Sequence, residues 1–128
     1  MRVRARVWIE RDGEDVFGGG RFALLVAVRR TGSLNRAAHD LEMGYRAAWR
    51  KVRECEARLG FPLLEGSVGG RGGGGSKLTD RAVRLLAAYE RFEGELTEQS
   101  ERLFREHLGF LDETGGTDGR GKRRKPLK

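Results

Sequence analysis

Cysteine is all but missing from this chain: Cys55 is its one thiol, which excludes an intramolecular disulfide framework. Histidine is nearly as scarce, and neither His39 nor His107 has a second ligand at metal-binding spacing. No uninterrupted apolar run reaches the ~18 residues that a membrane span needs. The N-terminus, in which Arg2, Arg4 and Arg6 alternate with Val3, Ala5 and Val7, lacks the apolar core and cleavage site of a secretory signal. No Ser/His/Asp, Cys/His or paired-carboxylate arrangement can be assembled, and the acids toward the C-terminus read as solvent-facing partners of Arg81, Arg84, Arg91, Arg102 and Arg105. The expectation is a soluble cytoplasmic protein that is not an enzyme, with no metal, no cofactor and no membrane contact.

Acidic residues are also scarce at one end. The net charge is +7 over 128 residues, but residues 115–128 hold Arg120, Lys122, Arg123, Arg124, Lys125 and Lys128 against Asp118, so +5 sits there and +2 on residues 1–114. Overall basicity alone is therefore weak evidence for a polyanionic partner. The length suits one small domain with appendages.

Residues 2–17 alternate, with Val3, Ala5, Val7 and Ile9 on one face and Arg2, Arg4, Arg6, Trp8 and Glu10 on the other, which predicts a half-buried strand. Asp12-Gly13 supplies a hairpin turn, and Val16-Phe17 begins the return strand. After the glycines at 18–20, Phe22, Leu25, Val26 and Arg29 recur at helical spacing, predicting a helix over about 20–31 that stops at Gly32. Ser33 is an N-cap for a second helix whose apolar stripe is Leu34, Ala37, Ala38 and Leu41. The small alanines permit the close crossing that a helix-turn-helix needs.

A third helix, about 44–59, places Ala48, Val52, Cys55 and Leu59 toward the core, so Cys55 reads as a small buried hydrophobe. Its opposite stripe holds Arg46, Trp49, Arg50 and Arg53 at i, i+3, i+4 and i+7. A charged stripe is often no more than a solvated face. Trp49 among the arginines, on the second helix of a helix-turn-helix spanning 32–60, favours DNA reading instead. Arg46, Arg50 and Arg53 can donate to guanine O6 and N7 or to phosphates, a good base contact being worth ~1–3 kcal/mol of discrimination. Tyr45 and Trp49 suit a thymine methyl or a sugar, and Ser33 and Arg36 suit phosphate.

Gly60 and Pro62 close the third helix. Leu63–Glu65 and Lys77–Thr79 then read as short strands joined by a glycine-rich tip, a wing over 63–79. Gly70, Gly72 and Gly75 formally satisfy GxGxxG, but a dinucleotide fingerprint leads from strand into helix, whereas this run lies between two strands. The glycines instead allow close approach to a sugar-phosphate backbone, with Arg71 and Lys77 supplying charge. From Asp80 a helical pattern runs to about Glu113, with Ala82, Leu85, Tyr89, Phe92, Leu96, Gln99 and Leu103 at alternating steps of three and four, a heptad seam suited to dimerisation. Residues 114–128 lack periodicity and read as a disordered basic tail.

The runs GSLNRAAHDLEMGYRAAWRKV and LLEGSVGGRGGGGSKLTDRAVRLLAAYERF resemble the N-terminal DNA-binding domain of ModE-type molybdate-responsive transcriptional regulators, a winged helix-turn-helix related to that of LysR-type regulators. The resemblance covers roughly 17–96, and Tyr45, Ala48 and Trp49 together with GGRGGGGSKLT carry its ModE character. Together with the elements read above, it gives a mainly α fold with small β structure: residues 1–79 a winged helix-turn-helix domain and 80–113 a dimerisation helix through Leu85, Tyr89, Phe92, Leu96 and Leu103. The implied partner is double-stranded DNA, bound by a homodimer at a pseudo-palindromic site. Tyr45, Arg46, Trp49, Arg50 and Arg53 match the family's recognition face, and Arg71 its wing. Glu42 stands where a glycine is common in the turn, and Gly44 where Ser or Thr usually caps the recognition helix. Molybdate-sensing members carry a C-terminal oxyanion-binding domain, and the basic tail in its place speaks against oxyanion binding within this chain. The alternatives are a protein-interaction module or a non-specific architectural DNA binder using the basic tail.

Overall fold

The computed structural model describes residues 1–67 and 75–115. The elements run β1 (Trp8–Arg11), β2 (Glu14–Gly18), α1 (Gly19–Thr31), α2 (Leu34–Asp40), α3 (Tyr45–Leu59), β3 (Leu64–Ser67), β4 (Gly75–Leu78), α4 (Asp80–Leu108) and α5 (Phe110–Gly115). This is a mainly helical winged helix-turn-helix with a hairpin before it and a long helix after it. One compact unit is Val7–Arg91; the other is formed by Met1–Arg6 with the described chain from Phe92 up to residue 115.

The first hairpin turns at Asp12 and Gly13, whose φ values of 52° and 81° are the paired left-handed conformations of a tight two-residue turn. Its pairing is antiparallel, with a register shift between Ile9 and Glu10. The expected half-buried strand over the first residues is corrected here. Strand structure begins only at Trp8, and every residue of β1 is exposed. The hairpin is buried through β2 instead, where Val16 and Phe17 enter the core, so β1 is an outer edge without a second layer over it. Arg58 fastens this hairpin to α3: its Nη1 donates to the Asp15 carbonyl at 2.6 Å, its Nε pairs with Glu14 at 3.2 Å, and its own carbonyl accepts from Arg11 at 2.8 Å.

The core gathers Leu24, Leu25, Ala27 and Val28 of α1, Leu34, Ala37 and Ala38 of α2, and Ala48, Val52 and Cys55 of α3. Leu63, Leu78, Ala82, Leu86 and Tyr89 complete it from the wing side. The tyrosine ring stands edge-on to Phe17 at 5.0 Å between centroids, and its hydroxyl donates to the Val7 carbonyl at 3.2 Å. Aromatic pairs favour this edge-to-face geometry because the ring edge is positive and the face negative.

Leu41 departs from the expected apolar stripe. It is the residue at which α2 ends, with φ −97° and ψ 11°, and it is 39% exposed. Met43 packs against the core in its place. The long helix also differs from a single run to 113, ending at Leu108 before α5 begins at Phe110. A Cβ at Gly109 would lie 2.5 Å from the Arg105 carbonyl oxygen, so this joint needs glycine. Thr114 and Gly115 belong to α5, while residues 116–128 and the wing tip with Arg71 lie outside the described residues.

Candidate nucleic-acid interface

The interface begins at the turn into α2. Gly32 ends α1 in the left-handed conformation at φ 77°, and Ser33 caps α2 by accepting from the Arg36 amide at 3.1 Å. The Ser33 side-chain oxygen is thus engaged as the cap, leaving its hydroxyl proton to donate outward. Arg36 is exposed beside it. The Gly32 carbonyl also accepts from the Ser76 amide of β4 at 2.9 Å, which ties the wing directly to the start of the helix-turn-helix.

The turn between α2 and α3 closes by two backbone hydrogen bonds, Met43 to Ala38 at 2.9 Å and Glu42 to His39 at 3.0 Å. That pattern demands a left-handed residue between helix end and exit, usually glycine. Glu42 fills it with φ 58°. Next, Gly44 caps α3 in an extended conformation without a side-chain hydrogen bond. Absence of a cap side chain at glycine costs only a few tenths of a kcal/mol.

On α3 the division of faces follows from helical periodicity. Ala48, Val52 and Cys55 are buried, while Tyr45 and Trp49 stand 48% and 46% exposed and Arg46, Arg50, Lys51 and Arg53 are exposed with them. The recognition-face residues expected from the sequence are therefore brought together on one outward surface. They are not equivalent, because Arg53 donates to Oε1 of Glu56 at 2.8 Å and lies over the Trp49 ring at 5.2 Å from its centroid. Oε2 of the same carboxylate accepts from the Leu63 amide at 2.7 Å and the Leu64 amide at 3.3 Å. Residue spacing does not single out Glu56; a tertiary bond does, to the Leu63 and Leu64 amides at the start of a strand whose position periodicity does not specify.

The wing pairs antiparallel from Leu64↔Leu78 to Ser67↔Gly75. Lys77 is exposed and sits opposite Glu65 in register. Thr79 closes the wing base, its hydroxyl donating to the Pro62 carbonyl at 2.8 Å and accepting from the Ala82 amide at 3.1 Å to cap α4.

The residues expected to form a dimer seam separate into two sets. Tyr89 is buried and Leu85 packs partly against the same core, whereas Phe92, Leu96 and Leu103 are 48%, 36% and 45% exposed. Elsewhere, burial and lost hydration push the Cys55 thiol up to about 11, and its Sγ donates to the Val16 carbonyl at 3.0 Å. Among the described residues no group of three or more His, Cys, Asp or Glu side chains is placed to hold a metal ion, and no helix is long and apolar enough to cross a membrane.

A helix-turn-helix closed by a wing, with a basic and aromatic face on its second helix, defines a class of DNA-binding protein. The signature of the bacterial regulatory helix-turn-helix proteins of the lysR family matches residues 20–83, and the chain belongs to that family. Within it the similarity is to ModE-type proteins. The molybdenum-pterin-binding protein MopB of Rhodobacter capsulatus is 40% identical over 88 residues, covering 69% of this chain and 32% of that protein. The molybdenum transport protein ModE of Azotobacter vinelandii is 36% identical over 102 residues, 80% of this chain and 38% of that one. The DNA-binding transcriptional dual regulator ModE of Escherichia coli K12 is 34% identical over 70 residues, 55% and 27% of the two chains. The chain thus matches 27–38% of the length of these curated relatives. Among solved structures, the CbnR_DBD–DNA complex superposes with a TM-score of 0.51 at 25% identity over 65% of this chain and 90% of that one. Full-length CbnR complexed with target DNA shares the fold, with a TM-score of 0.52 at 24% identity over 67% and 28% of the two chains.

Proposed function

We propose that this chain acts in the cytoplasm as a homodimeric, sequence-specific transcriptional regulator that reads a pseudo-palindromic DNA site, with residues 1–79 as the DNA-binding domain and the helix from 80 onward as the dimerisation element. The observation that carries the reading is the outward face of α3, where Tyr45, Arg46, Trp49 and Arg50 are exposed while Ala48, Val52 and Cys55 of the same helix are buried. The α3 face enters the major groove, with Arg46 and Arg50 donating to base edges or phosphates, Tyr45 and Trp49 meeting thymine methyls or sugars, and Arg53 at the C-terminal end of the face. Ser33 and Arg36 hold one phosphate run, and Lys77 with Arg71 of the wing holds another. Symmetry then places two recognition helices about one DNA turn, ~34 Å, apart. Phe92, Leu96 and Leu103, exposed at heptad spacing, supply the seam between protomers. The ModE relatives named above support this reading, and the DNA-bound CbnR domain supports its DNA-facing half. Oxyanion binding is assigned to no group in this chain.

The test is binding to a library of genomic fragments across a salt series. A small set of fragments retained as salt rises supports the proposal. Uniform affinity that collapses with salt for every fragment supports instead a non-specific basic binder.

A further inference from the structure

The side chains at the far end of the recognition face form a continuous chain of contacts. The indole of Trp49 carries the Arg53 guanidinium, Arg53 donates to Oε1 of Glu56, and Oε2 of Glu56 accepts from the Leu63 and Leu64 amides where the wing strand begins. Glu56 keeps 10% of its side-chain surface exposed and Arg53 57%. A carboxylate so far removed from water depends on its partners, and removing one leaves a poorly solvated charge. Moving Arg53 to a backbone phosphate releases counterions but leaves the nearly buried Glu56 carboxylate with amide donors alone. The 2.8 Å bond to Glu56 is therefore what competes with DNA for Arg53.

We propose that Glu56 is a specificity-determining positioning residue, which holds Arg53 away from DNA and against Trp49, so that this end of α3 meets DNA with a fixed indole rather than a mobile cation. This deepens the DNA-reading role proposed above and rests on it. A free arginine here adds affinity for any sequence, because a phosphate contact carries no base information. A braced indole adds a shape-dependent contact with a thymine methyl or sugar at little side-chain entropy cost. The same carboxylate fixes the wing strand relative to α3, so that recognition helix and wing approach the duplex in one geometry.

The test uses four proteins, the wild type, E56Q, R53Q and R53Q/E56Q, titrated over a salt series with a selected duplex and a random duplex. Gln at 56 keeps an oxygen for the Leu63 amide and loses the charge that holds Arg53. Expected for E56Q is a slope of log binding constant against log salt steeper by about 0.9 per protomer, the value for one further phosphate neutralised, with tighter random-duplex binding and a smaller preference for the selected one. In R53Q/E56Q the extra slope disappears, and R53Q alone keeps the wild-type slope. An unchanged slope in E56Q, or a slope shallower by about 0.9 in R53Q alone, overturns the proposal while leaving the DNA-reading role intact. Should E56Q fail to unfold cooperatively, R53Q decides by the same criterion. Failure of the wild type to bind either duplex overturns the DNA-reading role and this proposal with it.

Discussion

The Glu56 carboxylate accepts a hydrogen bond from the Leu63 amide at 2.7 Å, across the turn that contains Gly60 and Pro62. Through that bond the last turns of α3 set where β3 begins. Replacement by alanine leaves a buried amide without an acceptor, which costs about 1–3 kcal/mol. Glu56→Ala is expected to lower stability by that amount in urea unfolding, and Glu56→Gln by distinctly less. Equal losses in the two variants would assign the effect to the charge rather than to the amide bond.

Cys55 gives a pH dependence with a definite sign. Its thiol is raised from 9.0 to about 11 by burial, so the folded state holds the proton that the unfolded chain releases first. The stabilisation is fully present below pH 9 and is lost as pH rises toward 11, by on the order of 2 kcal/mol. Cys55→Ser is expected to flatten stability between those pH values. In the native protein alkylation at pH 8 is expected to be slow and to accelerate with denaturant, followed by mass spectrometry.

Glu42 occupies a left-handed position at φ 58°, where a residue with a Cβ carries a penalty of about 1–2 kcal/mol. Glycine removes it and offsets part of the gain through greater freedom in the unfolded chain. Glu42→Gly is expected to leave the helix-turn-helix intact and raise stability by up to about 1 kcal/mol, whereas Glu42→Val lowers it. Thermal unfolding with the far-ultraviolet spectrum as a control measures both.

The helix-turn-helix was readable because its punctuation is local. Gly32 and Ser33 mark one boundary and Gly60 with Pro62 another, and the alternation of core and exposed positions along α3 follows from period alone. The fate of Leu41 was not readable: its place on the apolar stripe holds only if α2 continues, and α2 ends there. Nor was that of the first strand, where alternation over Val3 to Ile9 satisfies a strand pattern but nothing in the sequence says that β1 lies on the outer edge with no layer to bury it. The outward face of α3 was legible as a stripe of residue types. Arg53 was not legible as a held side chain, because its partner Glu56 is bonded in turn to Leu63 and Leu64, a contact set by tertiary structure.

The helix after the wing has a buried stretch and an exposed one, which mutation separates. Tyr89 is 3% exposed and packs on Phe17 and Phe22, so Tyr89→Ala is expected to cost about 3 kcal/mol or more of folding stability. Phe92 and Leu103 are half-exposed. If the proposed homodimer forms through this seam, Phe92→Asp with Leu103→Asp is expected to leave Val7–Arg91 folded and give a monomer in sedimentation where the wild type is a dimer. A folded double variant that remains dimeric would place the seam elsewhere.

The most direct test of the central claim is the ratio of affinities for a selected and a random duplex, measured at one salt concentration for the wild type and for Arg50→Ala. Loss of a base-reading arginine is expected to reduce that ratio by a factor corresponding to about 1–3 kcal/mol, with random-duplex binding changed little. Equal weakening on both duplexes, with the ratio intact, would contradict base reading by this face and leave Arg50 as a phosphate contact.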